Sequence, residues 1–290
     1  MRFQFIEKHR LEHPVRLMCR VLKVSPSGYY AWRGRPVSNR AQEDAELWTA
    51  IEKAHDKSYQ VYGYRRVYKA LVELAIKASH RRIARLMRQY GRRGRQYRRY
   101  VVTTKTGKRL AHIPDLVERQ FTAERPNQVW VSDITYVRTF QGWLYLAAVL
   151  DLYARRIVGW SMKPSLSQEL ASDALKMALT NRQPAAGLIH HSDRGSQYTS
   201  NEYQAILQQH QVRPSFGKIG SCFDNAAMES FFGSLKSEWL YHHRFATRKA
   251  AQSSVFHYIE LFYNRQRLHS ANGYRSPADF ESDMSYARVH

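Results

Sequence analysis

The stretch Val129-Trp-Val-Ser-Asp-Ile-Thr-Tyr-Val137 decides how this chain is read. It is rich in β-branched and aromatic residues, so it reads as a strand, and Asp133 sits in its middle. Past a Gln141-Gly142 turn, Trp143 to Asp151 is a second strand and Arg156 to Met162 a third. Ser167 to Leu179 reads as a helix whose Ser167 and Glu169 stand one residue short of a capping box. Gly187 to Asp193 is a fourth strand, ending on Asp193 just before Arg194-Gly195. A helix over Ser200 to His210 and a short strand over Val212 to Phe216 follow, then helices over Asp224 to Leu240 and Arg248 to Arg267. Three strands at hairpin spacing, then alternating helix and strand, predict an α/β fold: a mixed five-stranded sheet with helices on its faces.

Upstream the pattern is helical throughout. From Pro14, apolar residues at 15, 17, 18, 21, 22 and 24 keep helical spacing. Ser25-Pro26-Ser27-Gly28 then stops one helix and caps the next. Residues 1–35 therefore read as an N-terminal helix-turn-helix. Gly34 to Asn39 is a linker. Ala41 to His55 is a helix, Tyr62-Gly-Tyr-Arg-Arg-Val opens another, and Ser79 caps a third. In that third helix Ile83, Leu86 and Met87 form the inner stripe, while Arg81, Arg82, Arg85 and Arg88 lie largely outside it. Residues 41–100 read as a second helix-turn-helix region. Gly91 to Gly107 is Arg-rich and lacks an apolar period, so 101–124 reads as a basic linker, 125–240 as the α/β core and 241–290 as a C-terminal helical region.

The charge names the partner. Lys and Arg total 46 against 24 Asp and Glu, a net charge of +22. Residues 1–124 hold 28 basic and 11 acidic side chains, so most of the excess lies there. Nine Arg and no acid fall between Arg81 and Arg99, including Arg92, Arg93 and Arg95. Such an excess calls for an anionic partner, and Arg favours bidentate phosphate contacts. The two cysteines, Cys19 and Cys222, form no disulfide framework or paired zinc site. A reducing bacterial cytoplasm, in association with the nucleoid, is the expected location. No run of about 18 apolar residues exists to span a membrane, and no secretory signal opens the chain.

Asp133, Asp193 and Glu229 occupy chemically suggestive places. The first and fourth strands would be neighbours, so their carboxylates can converge, and a helix crossing the sheet can deliver Glu229. Three hard oxygen donors suit Mg²⁺ or Mn²⁺. Two such ions can activate a water or a 3′-hydroxyl at a phosphodiester. Singly, each acid has an ordinary reading: a strand Asp as a turn or pairing residue, a helix Glu as a solvated charge. Asp151 is the rival acid, read as a strand-end turn residue. Asp224 reads as a helix cap and Glu238 as a surface charge. One of His190 and His191 is expected to be buried in its strand.

Three segments carry a family resemblance: Trp130-Val-Ser-Asp-Ile-Thr-Tyr, His190-His-Ser-Asp-Arg-Gly-Ser-Gln-Tyr, and Asn225-Ala-Ala-Met-Glu-Ser-Phe-Phe-Gly-Ser-Leu-Lys. They resemble the catalytic core of insertion-sequence transposases related to retroviral integrases. The 35 residues between Asp193 and Glu229, and Lys236 seven residues after Glu229, match that pattern. Tyr263-Asn-Arg-Gln-Arg-Leu-His-Ser-Ala-Asn-Gly-Tyr-Arg-Ser-Pro resembles its C-terminal signature, departing at Asn272, where an apolar residue is usual. Ser25-Pro-Ser-Gly-Tyr-Tyr-Ala-Trp and Tyr62-Gly-Tyr-Arg-Arg-Val resemble its N-terminal half. The match is closest to the second-frame product, OrfB, of the IS-three family.

The resemblance implies a ribonuclease-H-like core in which Asp133, Asp193 and Glu229 hold two Mg²⁺ ions, with Mn²⁺ able to substitute. It implies 3′-end cleavage and strand transfer of an insertion element on double-stranded DNA, with recognition of its terminal inverted repeats. Lys236, Asn225, Gln197 and Tyr198 are the expected DNA contacts near the cut, and Arg81, Arg82, Arg85, Arg88, Arg92, Arg93 and Arg95 those along the backbone. The basic, aromatic stretch Tyr263, Arg265, Arg267 and His269 is a further candidate for DNA or a second subunit. A homo-oligomer and an upstream-frame partner, OrfA, are implied. A DNA-bound regulator without chemistry and a structure-specific nuclease are the competing readings.

Overall fold

A computed structural model of the chain describes residues 1–95, 114–118, 120–217 and 225–286, with side chains through residue 283. Its contacts divide it into two compact units, Met1–Glu52 and Lys53–His290.

In the first unit, α1 (Arg2–His9), α2 (Val15–Val21) and α3 (Pro26–Arg33) surround a small core. Ile6, Met18, Cys19 and Tyr29 fill it, with Phe3, Val15 and Trp32 packed against them. Ser25 caps α3 by accepting from the Gly28 N–H, with Pro26 in the first turn as expected. The Tyr29 hydroxyl donates to Glu7, joining α3 to α1. Helix α4 (Asn39–Lys57) runs through the point where the two units divide. The boundaries at 35 and 41 read from the sequence therefore do not coincide with the division of contacts.

In the second unit α5 (Tyr64–Glu73) and α6 (His80–Gln89) pack together, and Ser79 caps α6 through the Arg82 N–H. The sheet comprises β1 (Val129–Thr139), β2 (Gly142–Asp151), β3 (Arg156–Lys163), β4 (Ile189–Ser192) and β5 (Arg213–Phe216), in the order β3-β2-β1-β4-β5. The first three strands are antiparallel, whereas β4 pairs parallel with both β1 and β5. The mixed five-stranded, ribonuclease-H-like sheet is the one expected.

Parallel pairing needs crossovers. Helix α7 (Gln168–Arg182) supplies the one before β4, and α8 (Asn201–Gln209) the one before β5. Helix α7 lies hard against Gly159 of β3, where a Cβ would stand 2.3 Å from the Ala174 carbonyl oxygen. Trp130, Val149, Val158, Leu170, Leu175 and Tyr203 belong to the buried core between sheet and helices.

Helix α9 (Ala226–Glu238) packs on β1. The helix expected over 248–267 is instead α10 (Arg248–Phe256) followed by a π-helical run, His257–Tyr263. Bonds from the Asn264 N–H to the Ile259 carbonyl and from the Arg267 N–H to the Phe262 carbonyl carry the wide turn onward. Tyr258, Ile259, Phe262 and Tyr263 of this run are all buried. Among the described residues the last helix is α11 (Pro277–Tyr286).

Part of the expected basic linker is packed. Leu116 N–H donates to the Ser215 hydroxyl at 2.9 Å, Phe216 N–H to the Pro114 carbonyl, and Val117 is buried. Among the described residues no helix is long and apolar enough to cross a membrane.

Candidate active site

The β1–β4 register decides which acids meet. Val129, Trp130 and Val131 stand opposite Ile189, His190 and His191. Two residues further along the same register, Asp133 and Asp193 come side by side on one face, since side chains alternate with a period of two and adjacent strands lie about 4.8 Å apart. Asp133 is half-buried within β1, while Asp193 is exposed just past the end of β4.

Both carboxylates are held from below. Asp133 Oδ1 accepts from the Ile134 N–H at 2.7 Å. Asp193 Oδ1 accepts from the Gly195 N–H at 2.9 Å. A Cβ at Gly195 would itself stand 2.9 Å from that same oxygen, so the loop leaves no room for a side chain there. The Asp133 carboxyl is pushed up to about 7, first by burial and then by the charge of Asp193, with a smaller push from Glu229. The Ile134 N–H and the Lys236 ammonium pull the other way. Burial also raises Asp193 and Glu229.

Glu229 lies exposed in the first turn of α9, near enough for its charge to act on Asp133. It does not complete a cage. Among the described residues no group of three His, Cys, Asp or Glu side chains is arranged to hold a metal ion. The structure thus joins the two aspartates and sets the glutamate on the adjoining helix.

That helix is fastened next to the aspartates. The Asn225 side-chain amide donates to the Ser132 carbonyl at 3.1 Å, while its own oxygen is buried without a hydrogen-bond partner among the described residues. Ser132 also hydrogen-bonds His190 Nε2 through its hydroxyl at 2.8 Å, and Tyr203 reaches the same nitrogen at 3.0 Å. Burial, with His191 beside it, pushes His190 down to about 3, so the ring is neutral. Both histidines are buried; His191 pairs with Ser215 at 2.9 Å. Ser132, His190 and Gly195 were not legible as site residues, because their roles exist only once β1 and β4 are paired.

Lys236, two helical turns beyond Glu229, stands half-buried with its ammonium 5.1 Å from the Tyr136 ring centre. Gln197 Nε2 donates to the Leu166 carbonyl at 3.4 Å. Tyr198 departs from its expected role. It is only 3% exposed, edge-on to Tyr203, so it forms a wall behind the aspartates and offers no surface to a DNA strand. Arg81, Arg85, Arg88 and Arg93 are exposed, and Arg82 and Arg92 half-buried. Arg95 is turned inward, its guanidinium donating to the Glu238 carbonyl. Asp224 lies outside the described residues, as do Arg98 and Arg99.

The C-terminal stretch also reads differently in three dimensions. Glu238 is buried, not a surface charge. Arg267 grips it at 2.6 and 2.7 Å, Arg66 reaches it at 3.3 Å, and the Tyr258 hydroxyl donates to it. These cations hold Glu238 below the usual carboxylate range despite its burial. Tyr263, Arg267 and His269 are therefore interior groups and present no outer face. Asn272 is buried where an apolar residue was expected, and its amide donates to the Ala154 carbonyl at 2.7 Å. Asp151 is fully buried and accepts from the N–H groups of Asn127 and Tyr153, the turn role read for it.

Comparison with known proteins places this geometry. The Integrase core domain family matches residues 123–222, and a second Integrase core domain family matches 229–284. An HTH-like domain matches 41–100. The chain is 42% identical over 284 residues to the transposase InsF of insertion sequence IS3A from Escherichia coli (strain K12), covering 97% of this chain and 99% of that protein. It is 46% identical over 263 residues to the insertion element IS600 uncharacterized 31 kDa protein of Shigella sonnei, covering 91% and 97%. A catalytic core domain of HTLV-2 integrase, solved with magnesium, aligns at a TM-score of 0.43 and 15% identity over 55% of this chain and 98% of that one. The chain belongs to the IS3 (IS-three) family of insertion-sequence transposases and is a DDE-type polynucleotidyl transferase.

Proposed function

We propose that the chain carries out 3′-end cleavage and strand transfer of an insertion element, with Asp133, Asp193 and Glu229 as the ligands of divalent metal. One observation carries this reading: the β1–β4 register, which pairs Val131 with His191, leads two residues on to Asp133 and Asp193, and Asn225 ties the start of the Glu229 helix to the residue before Asp133. The donor set fits Mg²⁺, with Mn²⁺ as a substitute. It is all carboxylate oxygen, and the charges of Asp193 and Glu229 raise the proton affinity of Asp133 in a way that a cation would relieve. When bound, two such ions supply a polarised water or 3′-hydroxyl and stabilise the leaving oxygen.

The remaining work falls to the chain itself. Gly195 and Ile134 N–H groups orient the two aspartates. Lys236 brings a cation beside Asp133 and is placed to meet a phosphate near the cut. Gln197 lines the loop after β4, and the buried oxygen of Asn225 has no hydrogen-bond partner among the described residues. The exposed Arg81 and Arg85 of α6 contact duplex phosphates at the element ends. Joining two ends requires at least two copies, so a homo-oligomer forms on DNA, with an OrfA product as its further partner.

The test is strand chemistry. The purified chain, with OrfA supplied, is incubated with DNA carrying the element ends in Mg²⁺. The parent should nick and join, and Glu229→Gln should lose both while melting as the parent does. A Gln variant that cuts normally would refute the ligand assignment. Products that are hydrolysed but never joined would replace transposition with a nuclease.

A further inference from the structure

An open groove of about 720 Å³ lies beside α5 and α6, away from the carboxylates. Helix α5 contributes Arg65 and Arg66, α6 contributes Arg88, and the segment after α6 contributes Arg92, Arg93 and Arg95. Six arginines thus line one cavity whose lining includes no Asp or Glu, the Arg66 and Arg95 guanidinium groups being drawn towards Glu238. Glu238 pairs with Arg66 and is shared with Arg267. Crowding this many cations is unfavourable until an anion enters.

The groove is built. Gly94 presses on Gly63 so closely that a Cβ would stand 2.5 Å from the Gly63 nitrogen, and the Arg95 N–H donates to the Val61 carbonyl at 3.2 Å. That contact folds the arginine-bearing segment over the start of α5. The far wall comes from the C-terminal part of the chain, Ser270 and Tyr274. Tyr62 fixes it: its hydroxyl donates to the Gln266 carbonyl at 3.0 Å and accepts from the Leu268 N–H at 2.8 Å.

Two aromatic rings, Tyr64 and Tyr274, lie among the arginines. Tyr64 is 38% exposed, and Lys69 sits 5.2 Å from the Tyr274 ring centre. Cationic walls with one exposed ring, Tyr64, and one half-buried ring, Tyr274, suit a phosphodiester strand whose bases are unpaired and can stack. A duplex, with its bases stacked inside, lies on a surface instead of entering a cavity of this size. We propose that this groove binds a single-stranded stretch of DNA, such as the strand released beside a cleaved element end. Arg66 and Arg95 both touch Glu238. Glu238 and Glu229 are the two ends of most of α9, about 14 Å apart at helical rise, so one strand can reach from the carboxylates to the groove. The assignment rests on the transposase reading for the strand's origin but not for the binding itself.

The experiment uses the full chain in EDTA, so that binding is separated from cutting. Fluorescence anisotropy follows a labelled oligothymidylate of about 12 nucleotides, with an unlabelled duplex of equal length as competitor. The oligonucleotide should bind and resist displacement by the duplex. Tyr64→Leu should weaken it roughly 5- to 150-fold, and Tyr64→Phe should restore it. An iodouracil-substituted oligonucleotide should crosslink to Tyr64 or Tyr274. Unchanged affinity in Tyr64→Leu, displacement by equimolar duplex, or crosslinks found only elsewhere would each overturn the assignment. Should Tyr64→Leu fail to fold by circular dichroism, the exposed Arg93 is reversed to Glu. Single-strand affinity must then fall, and an unchanged value rejects the groove. A chain that binds in this way but never joins DNA with OrfA supplied would sink the strand-transfer reading and leave the groove standing.

Discussion

The amide of Asn225 donates to the main-chain carbonyl of Ser132 at 3.1 Å, across 93 residues of sequence. That bond joins the start of the helix carrying Glu229 to the strand carrying Asp133. Asn225 and Glu229 are four residues apart, one turn along the same helix face. Orientation of the glutamate therefore depends on a group that is not itself an acid.

Asn225→Ala should accordingly lower strand cleavage by roughly 10- to 100-fold, the usual effect of losing a group that orients a metal ligand. Its thermal midpoint should fall only slightly. Cleavage assayed across a Mg²⁺ titration is the check, and a raised metal requirement is the expected signature. Parent-like cleavage would show that the bond to Ser132 does not position the helix.

Gly195 poses a steric question. An added methyl would stand 2.9 Å from Asp193 Oδ1, and a carboxylate on so short a side chain cannot retreat without changing direction. Gly195→Ala should reduce cleavage by about 100-fold, as an ångström of misplacement does at other active sites, with circular dichroism unchanged. Full activity in the folded variant would contradict this placement.

The acids also couple metal to stability. Asp133 titrates near 7 in the folded chain against an ordinary value of 3.8, raised by burial and then by Asp193. A carboxyl raised in this way favours the folded state when protonated. Its contribution is complete below about pH 4 and is lost as pH rises through 7. Without divalent metal, this group makes the chain less stable at pH 8 than at pH 6. Mn²⁺ or Mg²⁺ should raise the melting temperature more at pH 8 than at pH 6, and Asp133→Asn should abolish that difference. An equal metal effect at both values in the parent would rule out the coupling.

Glu238 is a structural charge. Arg267 and Arg66 converge on it in the interior, so Glu238→Gln strands two cations. Loss of one partner of a buried pair costs about 3–5 kcal/mol, and urea unfolding should show a decrease of that order. Asp283, an exposed partner of Arg275, should tolerate the matching Asn change with at most about 1 kcal/mol lost. Equal effects at the two sites would refute the difference in burial.

Much of this site is visible along the chain. β-branched and aromatic residues mark β1, and serine caps mark α3 and α6, because both are properties of neighbouring residues. Asp193 could be placed at a strand end for the same reason. Tyr198, Glu238 and Arg267 could not be read correctly. Each looks like a surface group beside its sequence neighbours, and each is buried by residues far from it in the chain. The helix over 248–267 failed at His257, where the i→i+5 bonds of a π-helical run change the period from which a continuous helix is inferred.

The amino-acid sequence by itself determined the strand and helix order, the three acids and their spacing, and the cationic first half. These depend on propensity, periodicity and charge, which act locally or sum over the chain. Only the tertiary structure decided that Asp133 faces Asp193, that Asn225 anchors the glutamate helix, and that two distant segments close a basic groove. Those outcomes depend on strand register and on close backbone approach between remote segments. A hydrogen bond or a steric fit across many residues leaves no periodic trace in the chain that makes it.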